Sequence, residues 1–330
     1  KSAPADCSTI TDATAKLICQ FTKPQLGIAQ AIGVDPASVI LSWSFSTQSV
    51  DDSLNLLSLT ATAKPTLIVP AFNATLGRIL NTHDANAALA GKANIYLSST
   101  VLPYYLTATD GTQTLAAQKA AVNGSFWTAA APPPAPLADP AGQSFSWTTF
   151  FNPMPKKTSD AIVPILVTVP NATSACPGMP VGGWPVAIVQ HGITGNRSQA
   201  LAMADAFADQ CFVVVSMDLP LHGIVATSAS DPLTGFHCFA PPAAANPACL
   251  GAVERTFDAD FANNTTGAAT PDGNPDASGA YFINLSSPLT GRDNLRQAEA
   301  DLIQLARSIP GLTVAARSEE HTSELQSPVV

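Results

Sequence analysis

Residues 186–190 and 212–217 are two almost uninterrupted apolar runs separated by a segment of helical periodicity, and few folds accommodate that order. Each run reads as a strand covered on both faces. Between them, residues 197–210 place Leu201, Ala204, Phe207 and Ala208 on one face, with Asn196 as a suitable N-cap. Buried strand, helix and buried strand in that order imply a parallel β-α-β unit, so this part of the chain is expected to be α/β.

The flanking segments read differently. Over residues 1–140, short runs such as 39–46, 67–69 and 93–97 are separated by turn formers, which predicts a β-rich N-terminal domain. In the first run Ser42, Ser44 and Ser46 alternate with Leu41, Trp43 and Phe45, the pattern of a strand with one wet face. Residues 24–37 are expected to be a helical or looped insertion, and 84–91 to hold another helical turn. The stacked prolines of 131–140 form a stiff connector and set the domain boundary there. Beyond it, residues 141–316 begin with a β segment at 162–169 and end in a helix capped by Asp293, with Leu295, Ala298, Leu302, Leu305 and Ile309 at helical spacing. Pro310-Gly311 stops that helix.

With 15 Lys and Arg against 24 Asp and Glu, a net charge of -9 excludes the basic footprint of a nucleic-acid binder and gives no attraction to anionic membranes. Six cysteines and few charges fit export to an oxidising compartment, meaning an extracellular, periplasmic or outer-membrane location. Cys7 with Cys19, Cys238 with Cys249 and Cys176 with Cys211 are plausible pairs among the fifteen pairings six cysteines permit, and Cys211 reads equally well as a buried thiol. No cysteine cluster has zinc-ligand spacing, no run approaches the roughly 18 apolar residues of a membrane span, and no cofactor is expected.

The chemistry-bearing feature is His191-Gly192, which follows the first buried run and opens Ile193-Thr194-Gly195-Asn196-Arg197. An apolar strand that ends in His-Gly and turns into a helix is how an ester-cleaving α/β-hydrolase presents half of its oxyanion hole. The other half is missing, because no G-x-S-x-G occurs in the 330 residues. The chain resembles the bacterial virulence-factor-type lipases, exported α/β-hydrolases with an immunoglobulin-like N-terminal region. The matching segments are Asp35-Pro36-Ala37-Ser38-Val39-Ile40-Leu41-Ser42-Trp43-Ser44-Phe45, Leu102-Pro103-Tyr104-Tyr105-Leu106, Gln190-His191-Gly192-Ile193-Thr194, Asp218-Leu219-Pro220-Leu221-His222-Gly223, Glu254-Arg255-Thr256-Phe257-Asp258 and Arg292-Asp293-Asn294-Leu295-Arg296-Gln297.

The resemblance implies an immunoglobulin-like domain over 1–140, followed over 141–316 by the N-terminal half of an α/β-hydrolase sheet. It implies hydrolysis of carboxylic esters, lipid-like or lysophospholipid-like, by a Ser-His-Asp triad, with possible outer-membrane or cell-surface association of the full-length protein. Ile193 supplies the backbone N–H of the oxyanion hole in this reading, and each such donor is worth roughly 3 to 4 kcal/mol. His191 and Gly192 shape that loop, and Thr194 and His222 are candidates for contact with substrate. Nucleophile, acid and base follow the elbow in this fold's chain order, so all three are expected beyond Ala316 and this fragment is expected to be inactive. Arg317-Ser318-Glu319-Glu320-His321-Thr322-Ser323-Glu324-Leu325-Gln326-Ser327 resembles a translated sequencing adapter, so 317–330 is expected to be a non-native tail, and Lys1 suggests an incomplete front.

Several residues carry blander expectations. His83 reads as a surface loop residue, His237 as part of a disulfide-stapled excursion, and Ser198 lacks the elbow context of a nucleophile. Asp272-Gly273-Asn274-Pro275-Asp276 spaces oxygen donors like the start of a calcium loop, but Ala277 and Ile283 stand where Gly and Glu are needed, which favours an Asx-turn-rich loop. Arg292 and Asp293 are expected to form a structural ion pair. Two further classes stay open: a non-catalytic cell-surface binding module, and a metal-assisted hydrolase using His191, His222 and Asp218.

Overall fold

A computed structural model describes residues 6–40, 42, 51–64, 66–109, 113–132, 147–225, 233–238 and 247–314. The chain divides into two compact units, Lys1–Gln48 and Ser49–Val330. In the first, helix α1 (Ala13–Ala31) starts behind Asp12, whose carboxylate accepts the Ala15 N–H at 2.7 Å, and the Cys7–Cys19 disulfide ties its first turns to the preceding segment. The described residues of this unit are helical or irregular and do not confirm the immunoglobulin-like domain expected over 1–140. Most of the strand expected at 39–46 lies outside the described residues.

The second unit is built on one mixed sheet. Its elements are α2 (Asp52–Thr60), β1 (Thr66–Pro70), the hairpin β2 (Phe72–Asn73) and β3 (Arg78–Ile79), α3 (Thr82–Ala85), β4 (Ala93–Tyr104), α4 (Leu115–Gly124), β5 (Ser159–Pro170), β6 (Val186–Ile188), α5 (Leu201–Asp209), β7 (Val213–Met217), α6 (Pro288–Ser308) and β8 (Leu312–Val314). The six main strands lie in the order β6-β7-β5-β4-β1-β8. β6 and β7 are parallel, Val186 opposite Val213, as the β-α-β pattern requires, while β5 runs antiparallel to both its neighbours β7 and β4.

Period-2 alternation sorts the strand side chains between two helical layers. Ile95, Leu97 and Leu166 pack with Leu201 of α5, while Tyr96, Ile165, Val167, Val213, Val215 and Met217 pack with Leu305 of α6. Both faces are therefore covered, which is why the strands of β7 and β5 could be almost wholly apolar.

Three expectations need correction. The first 140 residues are not a separate β unit, because β1 and β4 belong to the same sheet as β5 and β7; the proline-rich connector lies mostly outside the described residues. Helix α6 starts at Pro288 behind Ser287, since proline suits the first helical position, and Asp293 is a buried interior residue, not the cap. On that helix Ala298 and Leu305 are buried but Leu295 is 49% exposed, and the face turned inward carries Asn294, Gln297, Asp301 and Gln304.

β6 is an edge strand among the described residues. The strand after α6 sits elsewhere: β8 pairs in parallel with β1 at the opposite edge. Cys176–Cys211 and Cys238–Cys249 complete three disulfides, which fit an oxidising, extracellular-type environment. Among the described residues no helix is long and apolar enough to cross a membrane.

Candidate functional site

Because β6 and β7 are parallel, the loops that follow them leave the same end of the sheet side by side. The ladder continues one residue past β6, where the Val189 N–H donates to the Val215 carbonyl at 2.9 Å. His191 and Gly192 then lead into a tight turn in which the Gly195 N–H donates to the Gly192 carbonyl at 3.0 Å. Thr194 holds φ at 70°, a left-handed conformation that a β-branched residue adopts under strain. Between Gly192 and Thr194 sits Ile193, 50% exposed, whose amide donates to no acceptor among the described residues.

Two histidines fix this turn. The Thr194 N–H donates to Nε2 of His222 at 3.2 Å, and the Leu219 N–H donates to Nε2 of His191 at 3.1 Å. An amide N–H can only donate, so both Nε2 atoms are unprotonated and each ring carries its proton on Nδ1. Those Nδ1 protons go to the Gly192 and Pro220 carbonyls, each at 2.8 Å. The loop after β6 thus grips the loop after β7 through His191, and is gripped in return through His222. The two rings lie 5.0 Å apart, and Phe282 closes edge-on over His222 at 4.9 Å. A Cβ at Gly279 would come within 2.3 Å of the same His222 Nε2, so glycine is required there on steric grounds as well as by its φ of +73°.

Beneath the clasp lies a buried ionic cluster. Arg197, 1% exposed, donates its backbone N–H to Asp218 at 2.6 Å, its guanidinium to the other oxygen of Asp218, and two further N–H groups to Glu254 at 2.7 and 2.8 Å. Glu254 also accepts the Ile224 and Cys238 N–H groups at 2.9 and 2.8 Å, and a Cβ at Gly223 would stand 2.3 Å from its carboxylate. Burial raises the Glu254 carboxyl, against the pull of Arg197; the two carboxylates in turn outweigh the burial of Arg197 and raise its guanidinium. Burial, assisted by the adjacent His191 ring and Arg255, holds the His222 imidazole down at about 4, against the opposing Pro220 carbonyl and Asp218.

From this cluster the polar network extends to α6. Arg255 donates to the Asp218 carbonyl at 2.7 Å and to Asp301 at 2.6 Å; Gln297 donates to Asp301 at 2.8 Å and accepts the Tyr105 N–H at 2.9 Å. Asp293 accepts the Trp127 N–H at 2.8 Å and pairs with Arg292 and Arg296. Segments 102–106, 190–194, 218–223, 254–258 and 292–297, far apart in the chain, therefore meet in one hydrogen-bonded assembly around the β6 and β7 loops.

The expected site residues fare differently. Ile193, His191 and Gly192 lie in the turn that follows β6. His222 braces that loop and does not line a pocket, since it is wholly buried with both ring nitrogens engaged, and the Thr194 amide is likewise occupied. The same occupancy withdraws His191 and His222 as metal ligands, because no imidazole lone pair is left over. His237 pairs with Asp258 at 3.1 Å beside the Cys238–Cys249 bridge, Ser198 is tied to Asn196 at 2.6 Å, and His83 is bonded to the Leu89 carbonyl at 2.9 Å. In the acidic loop, Asp272 accepts the Asn264 and Asn274 N–H groups at 2.8 and 3.0 Å and Asp276 accepts the Phe261 N–H at 2.6 Å, so these carboxylates are used internally.

Sequence reading quoted Arg197, Glu254 and Gln297 without giving them a role, and passed over Asp301, Ser278 and Gly279. Ser278 donates to the Gly195 carbonyl at 2.5 Å and accepts the Gly223 N–H at 3.1 Å, bridging both loops from a third segment. A charged residue at the first turn of a helix that should be buried, as Arg197 is, was the available signal. Compared with known proteins, the chain matches no family model, no curated protein and no solved structure.

Proposed function

We propose that this chain carries the oxyanion-binding part of an exported serine carboxylesterase or lipase acting on acyl esters, of the virulence-factor-type lipase kind. The observation that carries the reading is the Ile193 amide: it stands at the C-terminal end of a parallel strand, in a braced turn, with no intramolecular acceptor among the described residues. A backbone donor fixed before the reaction costs no reorganisation when negative charge develops on a carbonyl oxygen, and that is the function of an oxyanion hole. The neighbouring ionic cluster is too well satisfied to transfer protons and serves as scaffold. No elbow serine is present in these residues, so the reading requires the nucleophile, acid and base to come from further chain.

Reading the parent gene past the codon for Ala316 tests this directly. A G-x-S-x-G within about 30 residues is expected, at the strand-to-helix turn that such an elbow occupies. Its absence favours a non-catalytic binding module. The present chain is expected to release no p-nitrophenol from short-chain esters, and turnover blocked by a serine-directed inhibitor would overturn the assignment of the nucleophile to another segment.

A further inference from the structure

The reciprocal histidine bonds have a chemical asymmetry. An imidazole Nε2 accepts an N–H only while unprotonated; with a proton it becomes a donor and faces the amide as a like group. At His222 the amide in question belongs to Thr194, the residue immediately after Ile193, and that residue holds a strained left-handed φ of 70°. On the other loop Leu221, immediately before His222, holds φ at 59°. The Thr194 amide, next to the Ile193 donor, is thus held in a strained arrangement by one neutral ring.

We propose that His222 is a positioning residue that latches the 192–195 turn in its neutral form, and that proton uptake from solvent at its Nε2 releases the Thr194 amide and lets the Ile193 donor move. This deepens, and rests on, the reading of Ile193 as an oxyanion donor. The proton balance is simple: one solvent proton is added to Nε2, the Nδ1 proton stays on Nδ1 and is still donated to the Pro220 carbonyl, and no covalent bond between heavy atoms changes.

The surroundings decide how sharply the latch responds. Toward the ring face His191, its own Nε2 3.6 Å from Asp218, and Arg255 from the segment after Glu254 oppose a positive charge. Asp218 favours it, but Arg197 already neutralises that carboxylate, and Glu254 is paired on the same guanidinium. From the 278–282 segment Gly279 and Phe282 pack against the ring without offering a charge. Burial is thus the dominant influence, and His222 stays neutral down to acid pH. His191 makes the mirror bond to the Leu219 amide, so the His222 bond is the one that acts on the Thr194 amide.

Amide hydrogen exchange on the 330-residue chain tests the latch without reference to esters. Corrected for intrinsic rates, the Thr194 amide is expected to be protected near neutral pH and to lose about five- to tenfold in protection as the pH approaches about 4, while Val214 in β7 keeps its protection. Histidine 15N shifts should show His222 as the Nδ1–H tautomer at neutral pH. His222→Gln supplies an acceptor that does not titrate, so protection of Thr194 should persist and its pH dependence vanish. His222→Ala should leave Thr194 unprotected at every pH; if that variant does not fold, the wild-type and His222→Gln titrations still decide. A Thr194 protection factor constant from neutral to acid pH, or an Nε2–H tautomer at neutral pH, overturns the proposal. Because no substrate enters the measurement, a failed latch leaves the ester-hydrolase reading standing, and a missing elbow in the parent gene leaves the latch standing.

Discussion

Arg197 shows how much of the site rests on single side chains. It is the shared cation of two buried carboxylates, and deleting one partner of a buried pair is far costlier than the pair itself is stabilising. Arg197→Met is therefore expected to destabilise the fold by about 3 to 5 kcal/mol in urea unfolding, and a loss below about 1 kcal/mol would contradict the ionic cluster as described. His222 sets the pH dependence. Unfolded, its imidazole titrates near 6.5; folded, burial holds it at about 4, so between those values the unfolded chain binds a proton that the native chain refuses. Stability contributed by the neutral ring is complete above about pH 6.5 and is lost as the pH falls toward about 4, by up to about 3 kcal/mol, with no further change from this group below that. The raised carboxyls of Glu254 and Asp301 act in the opposite sense, because the native state takes up their protons first as the pH falls. The His222 share is thus read from the difference between wild-type and His222→Gln unfolding free energies across that range, and parallel curves would refute it.

Among the elements, the β6-α5-β7 unit is the part the two loops depend on, and Cys176–Cys211 fastens it. That bridge joins the segment entering β6 to the turn between α5 and β7, where Cys211 holds a left-handed φ of 62°. With a sequence separation of 35 between its cysteines, against 11 for Cys238–Cys249, it constrains the larger unfolded loop. Replacing both Cys176 and Cys211 by Ala should cost about 3 to 4 kcal/mol, and more than the equivalent change at Cys238 and Cys249. Equal thermal shifts for the two double variants would show that the loop-entropy argument does not apply here. This unit was also the most legible part of the chain, because valine-rich runs such as 213–215 and the apolar stripe of α5 each have one compatible layer position. α6 was less legible: its buried face is made of Asn294, Gln297, Asp301 and Gln304, whose polarity reads as a surface until their partners from distant segments are known. The first 140 residues misled for a related reason, since 67–69 and 93–97 were recognisable as strands, but strand spacing along a sequence does not say which sheet receives them. At the site, His-Gly was visible as a motif, whereas the reciprocity of His191 and His222 depends on two parallel strands bringing 191 and 222 to the same sheet end.

At the scale of the whole molecule, the sheet presents the loop end of β6 and β7 from one flank, and β6 is the last strand on that flank among the described residues. Val186, Ala187 and Ile188 are half-buried, apolar and bonded to a neighbour on the β7 side. An edge of this composition, without a charge, a proline or a bulge inside the strand, is a template for another strand. The chain is therefore expected to self-associate as its concentration rises through the micromolar range, with the equilibrium read by sedimentation velocity. Ala187→Lys places a charge in the middle of the edge, where neighbouring strands would bring two such lysines together, and it should shift the distribution toward monomer while leaving the far-ultraviolet circular dichroism unchanged. If the wild-type chain sediments as one monomer at every concentration, the edge is covered in solution and the sheet must extend beyond β6. If it associates and Ala187→Lys associates equally, the contact lies on another surface and the edge plays no part in it.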